Sequence, residues 1–153
     1  MEKRISYSDN TEYIGTLSKG MRNGKGILKN SNGIIIYEGE WKNDFYNGTG
    51  TLYHGDGTSY TGNFIKGNKE GQGKILFSNG KIKYEGEFSN GEKDGLGKEY
   101  YEDESFYYGN YSQGKKNGYG IFDCNKGKYV LPDKSVYEGD FKNNLISGKV
   151  NNV

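Results

Sequence analysis

The chain has 153 residues, with 21 basic and 20 acidic side chains for a net charge of +1, and its mean hydropathy is −0.98. Leu, Ile, Val and Phe together number 29 and alanine is absent, while glycine reaches 26 and tyrosine 15; a large aliphatic core and an all-helical fold are excluded. Near-neutrality argues against a general nucleic-acid binder, and 15% aromatic content sets the chain apart from the disordered class.

In chain order, Ile5 to Tyr13 reads as a strand and a turn, a half repeat over residues 1–12. Tyr13 then opens the first of six copies of Tyr-x-Gly, followed by Tyr37, Tyr60, Tyr84, Tyr107 and Tyr137 at spacings of 24, 23, 24, 23 and 30. The repeats run 13–36, 37–59, 60–83, 84–106, 107–136 with an insertion within Lys128 to Val136, and 137–153 as a partial copy, forming one domain.

Within each copy the glycines keep phase. One lies two residues after the tyrosine, as in Gly39, and another eleven after it, as in Gly48; Gly50 then completes a Gly-x-Gly. The seventh position holds Gly20, Gly67, Gly91 and Gly114, with Asp44 and Asn144 in the other two copies. Asp and Asn tolerate positive φ best after glycine, so this position is a left-handed turn residue. Tyr37-Glu38-Gly39-Glu40-Trp41 alternates with period two and predicts a strand; Gly48 to Leu52 predicts a second, antiparallel to it. Each repeat is therefore expected to be a β-hairpin, with glycines of both strands leaving flat gaps that neighbouring rings fill.

The pattern of a Tyr-Glu-Gly-Glu-Trp strand, a turn and a Gly-x-Gly strand resembles the MORN repeat, and the match runs from Tyr13 to Gly148. The resemblance implies an all-β fold, an elongated single-layer twisted antiparallel sheet of consecutive hairpins with a groove. It also implies a non-enzymatic scaffold or adaptor that holds a partner segment, since members act at membranes and the cytoskeleton, some bind myosin tails and several dimerise. The alternative is a phosphoinositide-binding membrane tether; no basic run is denser than Lys115-Lys116, well short of a cluster of about four to eight.

Expected contact residues are the inner aromatic row Trp41, Phe64, Phe88 and Tyr111 with Glu99, which replaces an aliphatic residue and calls for either a wet groove or a basic partner. Leu96, Tyr108, Tyr119 and Ile121 form an apolar patch on the opposite face, open to a partner or covered by the insertion. On that face an acidic row (Glu38, Glu40, Glu85, Glu87, Glu138, Asp140) faces Lys25, Lys74, Lys98 and Lys149, which predicts cross-strand ion pairs. His54 and Cys124 share the seventeenth position three repeats apart, so they form no dyad and are read as packing residues. No cofactor or metal site is expected. The last copy has Gly148-Lys149-Val150 in place of Gly-x-Gly, an edge that could pair with a second chain. A lone cysteine and a start without an apolar signal core point to an intracellular, cytoplasmic protein.

Overall fold

The computed structural model describes residues 2–123, 137–142 and 145–146. Cys124, Gly127, the Lys128 to Val136 insertion, Asn144 and Gly148 to Val150 lie outside these residues, as do the side chains of Glu138 and Asp140. Among the described residues there is no helix. The strands are β1 (Lys3–Ser6), β2 (Glu12–Ser18), β3 (Met21–Lys29), β4 (Ile35–Lys42), β5 (Phe45–Tyr53), β6 (Ser59–Ile65) and β7 (Asn68–Leu76). They continue as β8 (Ile82–Ser89), β9 (Glu92–Tyr100), β10 (Phe106–Ser112), β11 (Lys115–Asp123), β12 (Tyr137–Lys142) and β13 (Leu145–Ile146). Each pairs antiparallel with the next, in sequence order, in a single sheet. β1 lies at the edge of the sheet, with its Ile5 opposite Tyr13.

The seventh-position turns behave as read from the sequence. Asp44 has φ 69° where Gly67 has 87°, and the preceding residues, Asn43 and Lys66, are also left-handed at 49° and 47°. Two successive positive φ values define the type I′ turn, whose twist matches that of the flanking strands.

The glycines divide differently from expectation. The second glycine of each Gly-x-Gly pairs across the ladder with the glycine two after the tyrosine: Gly26 with Gly15 and Gly39, Gly50 with Gly39 and Gly62. The tyrosine ring lies flat over such a pair, so a Cβ on Gly50 would meet the Tyr37 ring. The first glycine makes no ring gap. Gly24, Gly48, Gly71, Gly95 and Gly118 take φ from 68° to 100°, next to a register shift between the strands of each hairpin. They are bulge residues.

The bulge explains why the ring is tyrosine. In the first five repeats its hydroxyl donates to the carbonyl three residues on, Tyr13 to Thr16, Tyr37 to Glu40, Tyr60 to Asn63, Tyr84 to Glu87 and Tyr107 to Asn110, at 2.8–3.2 Å. A phenylalanine would leave that carbonyl without its donor. Tyr60→Phe is accordingly expected to cost about 1 kcal/mol in urea denaturation. Tyr46→Phe, which removes a hydroxyl with no hydrogen bond to the described residues, should leave the midpoint where it was.

The core is a zipper of rings. Tyr13, Trp41, Tyr37, Phe64, Tyr60, Phe88, Tyr84, Tyr111 and Tyr107 follow one another edge to face, with centroids 4.9–5.4 Å apart and planes at 79–87°. Trp41, Phe64, Phe88 and Tyr111, each at the fifth position of its repeat with the tyrosine counted as first, bridge the tyrosines of their own repeat and the one before it. Edge-to-face pairs contribute roughly 0.5–1.5 kcal/mol each beyond burial, so stability accrues repeat by repeat.

Candidate functional site

The ring zipper fills the inner face. Trp41, Phe64, Phe88 and Tyr111 are only 3, 1, 4 and 4% exposed, so the expected row of partner contacts is instead the core, and its surface is supplied by other residues. The cover comes from the ninth position after each tyrosine, directly across the ladder from the fifth: Arg22, Tyr46, Lys69, Lys93 and Lys116. Tyr46 stacks on Tyr37 at 3.8 Å. The cations lie over rings: Arg22 4.4 Å from Trp41, Lys69 5.1 Å from Tyr60, Lys93 4.5 Å from Tyr84 and Lys116 5.1 Å from Tyr107. Ring quadrupoles attract these charges, while the aliphatic stems keep water off the tyrosines.

Glu99 joins this row rather than an open groove. Its carboxylate takes Lys93 at 2.6 Å and Lys116 at 3.1 Å, and accepts from the hydroxyls of Tyr101 and Tyr111, both at 3.2 Å. Lys116 also donates to the Tyr101 hydroxyl at 2.5 Å. Burial alone would raise the Glu99 carboxyl, but Lys93 and then Lys116 outweigh it and hold it at about 2. Burial lowers Lys93 despite Glu99 and, with the Glu99 charge, pushes the Tyr111 phenol well up.

The groove lies on the other face. Two stretches of trough, of about 600 and 510 Å³, meet at Thr61 and run from β2 to β10. Their floor is the glycine-pair waist, and their walls are the residues one and three after each tyrosine with their cross-strand partners. The acidic row does more than pair with lysines. Glu40 Oε2 accepts from the Thr49 N–H at 3.1 Å and Glu87 Oε2 from the Leu96 N–H at 3.3 Å, capping the backbone next to bulge glycines. Lys74 and Glu85 form an ion pair at 3.7 Å. Lys98, opposite Glu85, instead lies 4.8 Å from the Tyr100 ring and 4.1 Å from that of Phe106. Of the apolar patch, Leu96, Tyr108 and Tyr119 are 43, 42 and 49% exposed, whereas Ile121 is half-buried.

His54 sits in a hydrogen-bonded turn. Its ring is half-buried, burial and then Lys69 lower its pKa, and its ring nitrogens meet Thr58 and Lys69. The Thr58 hydroxyl beside it donates to Asp56 Oδ1 at 2.7 Å, and no group of three or more metal-ligating side chains occurs among the described residues. No described helix is long and apolar enough to cross a membrane.

No characterised protein matches the chain at a significant level. The family model described as MORN repeat matches residues 13–34, 37–59, 60–82, 84–106, 107–129 and 137–149. These six copies reproduce the tyrosine frame across most of the sequence, and the hairpin stack built on it is the fold the frame demands. The chain belongs to the MORN repeat family, a non-enzymatic repeat type.

Proposed function

We propose that the chain is a non-enzymatic interaction scaffold whose outer trough holds an extended segment of a partner protein. The observation that carries this reading is the trough itself, two stretches that meet at Thr61 and span β2 to β10 on a sheet face with no second layer among the described residues. Nine strands at roughly 4.8 Å make it about 40 Å long, enough for about twelve extended residues. Its chemistry recurs along its length. Glu38 and Glu40 stand beside Lys25 and Ile27 in one stretch, threonines lie in the middle, and Glu85 and Glu87 stand beside Lys98, Leu96 and Tyr108 in the other. A segment that mixes basic and apolar side chains along its length is complementary to it. Mixed charge of this kind supports a peptide ligand over an anionic membrane surface, which wants clustered lysines.

The test places bulk in the middle of the trough. Thr49→Arg with Thr61→Arg should leave thermal unfolding nearly unchanged, within about 0.5 kcal/mol for exposed sites. It should cut retention of the protein that cross-links to the wild-type chain in its native cell by about tenfold or more. Undiminished retention by the folded double variant would exclude the trough.

A further inference from the structure

The inner face carries a row of cations, of which Lys93 and Lys116 pair with Glu99. Lys69 is half-buried and has no ion pair among the described residues. Its hydrogen-bond partner among them is neutral. The Thr58 hydroxyl donates to Asp56 Oδ1 at 2.7 Å, so it can only accept from His54 Nδ1, 2.8 Å away. That tautomer leaves His54 Nε2 as the acceptor for the Lys69 ammonium at 3.3 Å. Burial lowers the Lys69 pKa, with no carboxylate to offset it.

The repeat itself shows what fits such a lysine. Glu99 is six residues beyond Lys93 and reaches the equivalent lysine of the next repeat, Lys116. Ile75 is six residues beyond Lys69, and the equivalent lysine of its next repeat is Lys93. Ile75 thus stands at the Glu99 position one repeat earlier, half-buried, with lysines on both sides and no acid between them. Around it the hydroxyls of the Glu99 site are missing, because Phe77 and Phe88 replace Tyr101 and Tyr111. Lys83, 5.6 Å from the Phe77 ring, adds a third cation at its rim.

We infer that the inner face binds an acidic segment of a partner protein, seating one glutamate or aspartate carboxylate over Ile75 between Lys69 and Lys93. The floor is apolar and the flanks are cationic, so the segment carries apolar residues beside the acid. Glu99 is the built-in counterpart of that carboxylate, in the same phase of the repeat. The surface lies on the face opposite the trough and stands without it.

The test uses the full chain and two acetylated, amidated peptides, one with a single glutamate between leucines and one with glutamine in its place. Nuclear magnetic resonance titration follows His54 and the Lys69 amide. The glutamate peptide should bind about tenfold more tightly, as one charge-assisted contact gives, and the difference should fall as salt rises. Lys69→Gln should abolish the preference. Ile75→Glu should abolish it too, by filling the site from within as Glu99 does; circular dichroism checks that both variants are folded. Equal affinity for the two peptides, no binding of either, or a preference that survives Lys69→Gln would overturn the proposal. So would Lys69-dependent binding to phosphatidylinositol bisphosphate vesicles that the glutamate peptide does not compete, which would assign the site to lipid. None of these outcomes bears on partner retention by the trough variants, so the two surfaces stand or fall separately.

Discussion

Gly86→Ala should unfold much of the sheet's stability, about 3 kcal/mol in urea denaturation. The Cβ would stand 2.5 Å from the Gly97 Cα, 2.6 Å from the Leu96 carbonyl oxygen and 2.7 Å from the Tyr84 hydroxyl. Two of those three atoms are backbone of the neighbouring strand, which moves only if the ladder parts. The Tyr84 hydroxyl is itself tied to the Glu87 carbonyl at 3.2 Å. Two other glycines serve as controls. Gly80 has no atom within 4 Å of an added Cβ but holds φ at 81°, so Gly80→Ala should cost only the left-handed penalty of about 1–2 kcal/mol. Gly55, the one glycine outside the repeat phases, has neither a neighbour nor a left-handed φ, and Gly55→Ala should be neutral or stabilising by up to about 1 kcal/mol. Equal effects at Gly86 and Gly80 would mean that ring and backbone contact do not set the cost.

The ordering of those three glycines also measures what the sequence discloses. Phase alone separates Gly55 from the rest and identifies a left-handed turn residue, because Asp44 and Asn144 reveal that position by substitution. Period-two alternation gives the strands and their two faces. It does not say that Gly48 and Gly50 play different parts, since both are glycine two residues apart. The available signal is the residue before the fifth position: Glu40 and Glu87 cap backbone N–H groups next to bulge glycines.

Alternation also leaves open which face is filled. Trp41, Phe64, Phe88 and Tyr111 read as an open aromatic row, and whether they are covered depends on residues across the ladder whose register is set by the bulge. The ninth position carries Arg22, Lys69, Lys93 and Lys116 with Tyr46, a periodic signal as regular as the glycines. A lysine in a strand is easily taken for a solvated outer residue, when a four-carbon stem lets it cap a ring and still reach water. Once the inner face is filled, the one-layer sheet leaves its trough on the acidic side.

Glu99→Gln is expected to be the second severe substitution, costing about 3 kcal/mol near neutral pH. The amide preserves shape but removes the charge that pairs with both Lys93 and Lys116, whose side chains are only 18 and 16% exposed. Two pH windows separate this account from a packing defect. The wild-type carboxyl lies at about 2 when folded against 4.5 as an isolated group. Its contribution is therefore complete above about pH 4.5 and lost as pH falls toward about 2. The variant has no such group, so the stability gap between the two proteins should narrow on acidification through that window. At the alkaline end the sign is opposite. Burial lowers Lys93 from its ordinary 10.5, and loss of Glu99 lowers it further, so folding favours the neutral amine. The variant should then gain stability as pH rises through the folded lysine pKa toward about 10.5, the unfolded value, and the gap should narrow again. Lys93→Met added to Glu99→Gln should recover part of the loss at neutral pH, because it removes one of the two repelling charges. Urea denaturation at about pH 3, 7 and 10 reads all of this. A gap of constant size across the three would mean that the loss is packing and that the lysine pair is not held by Glu99.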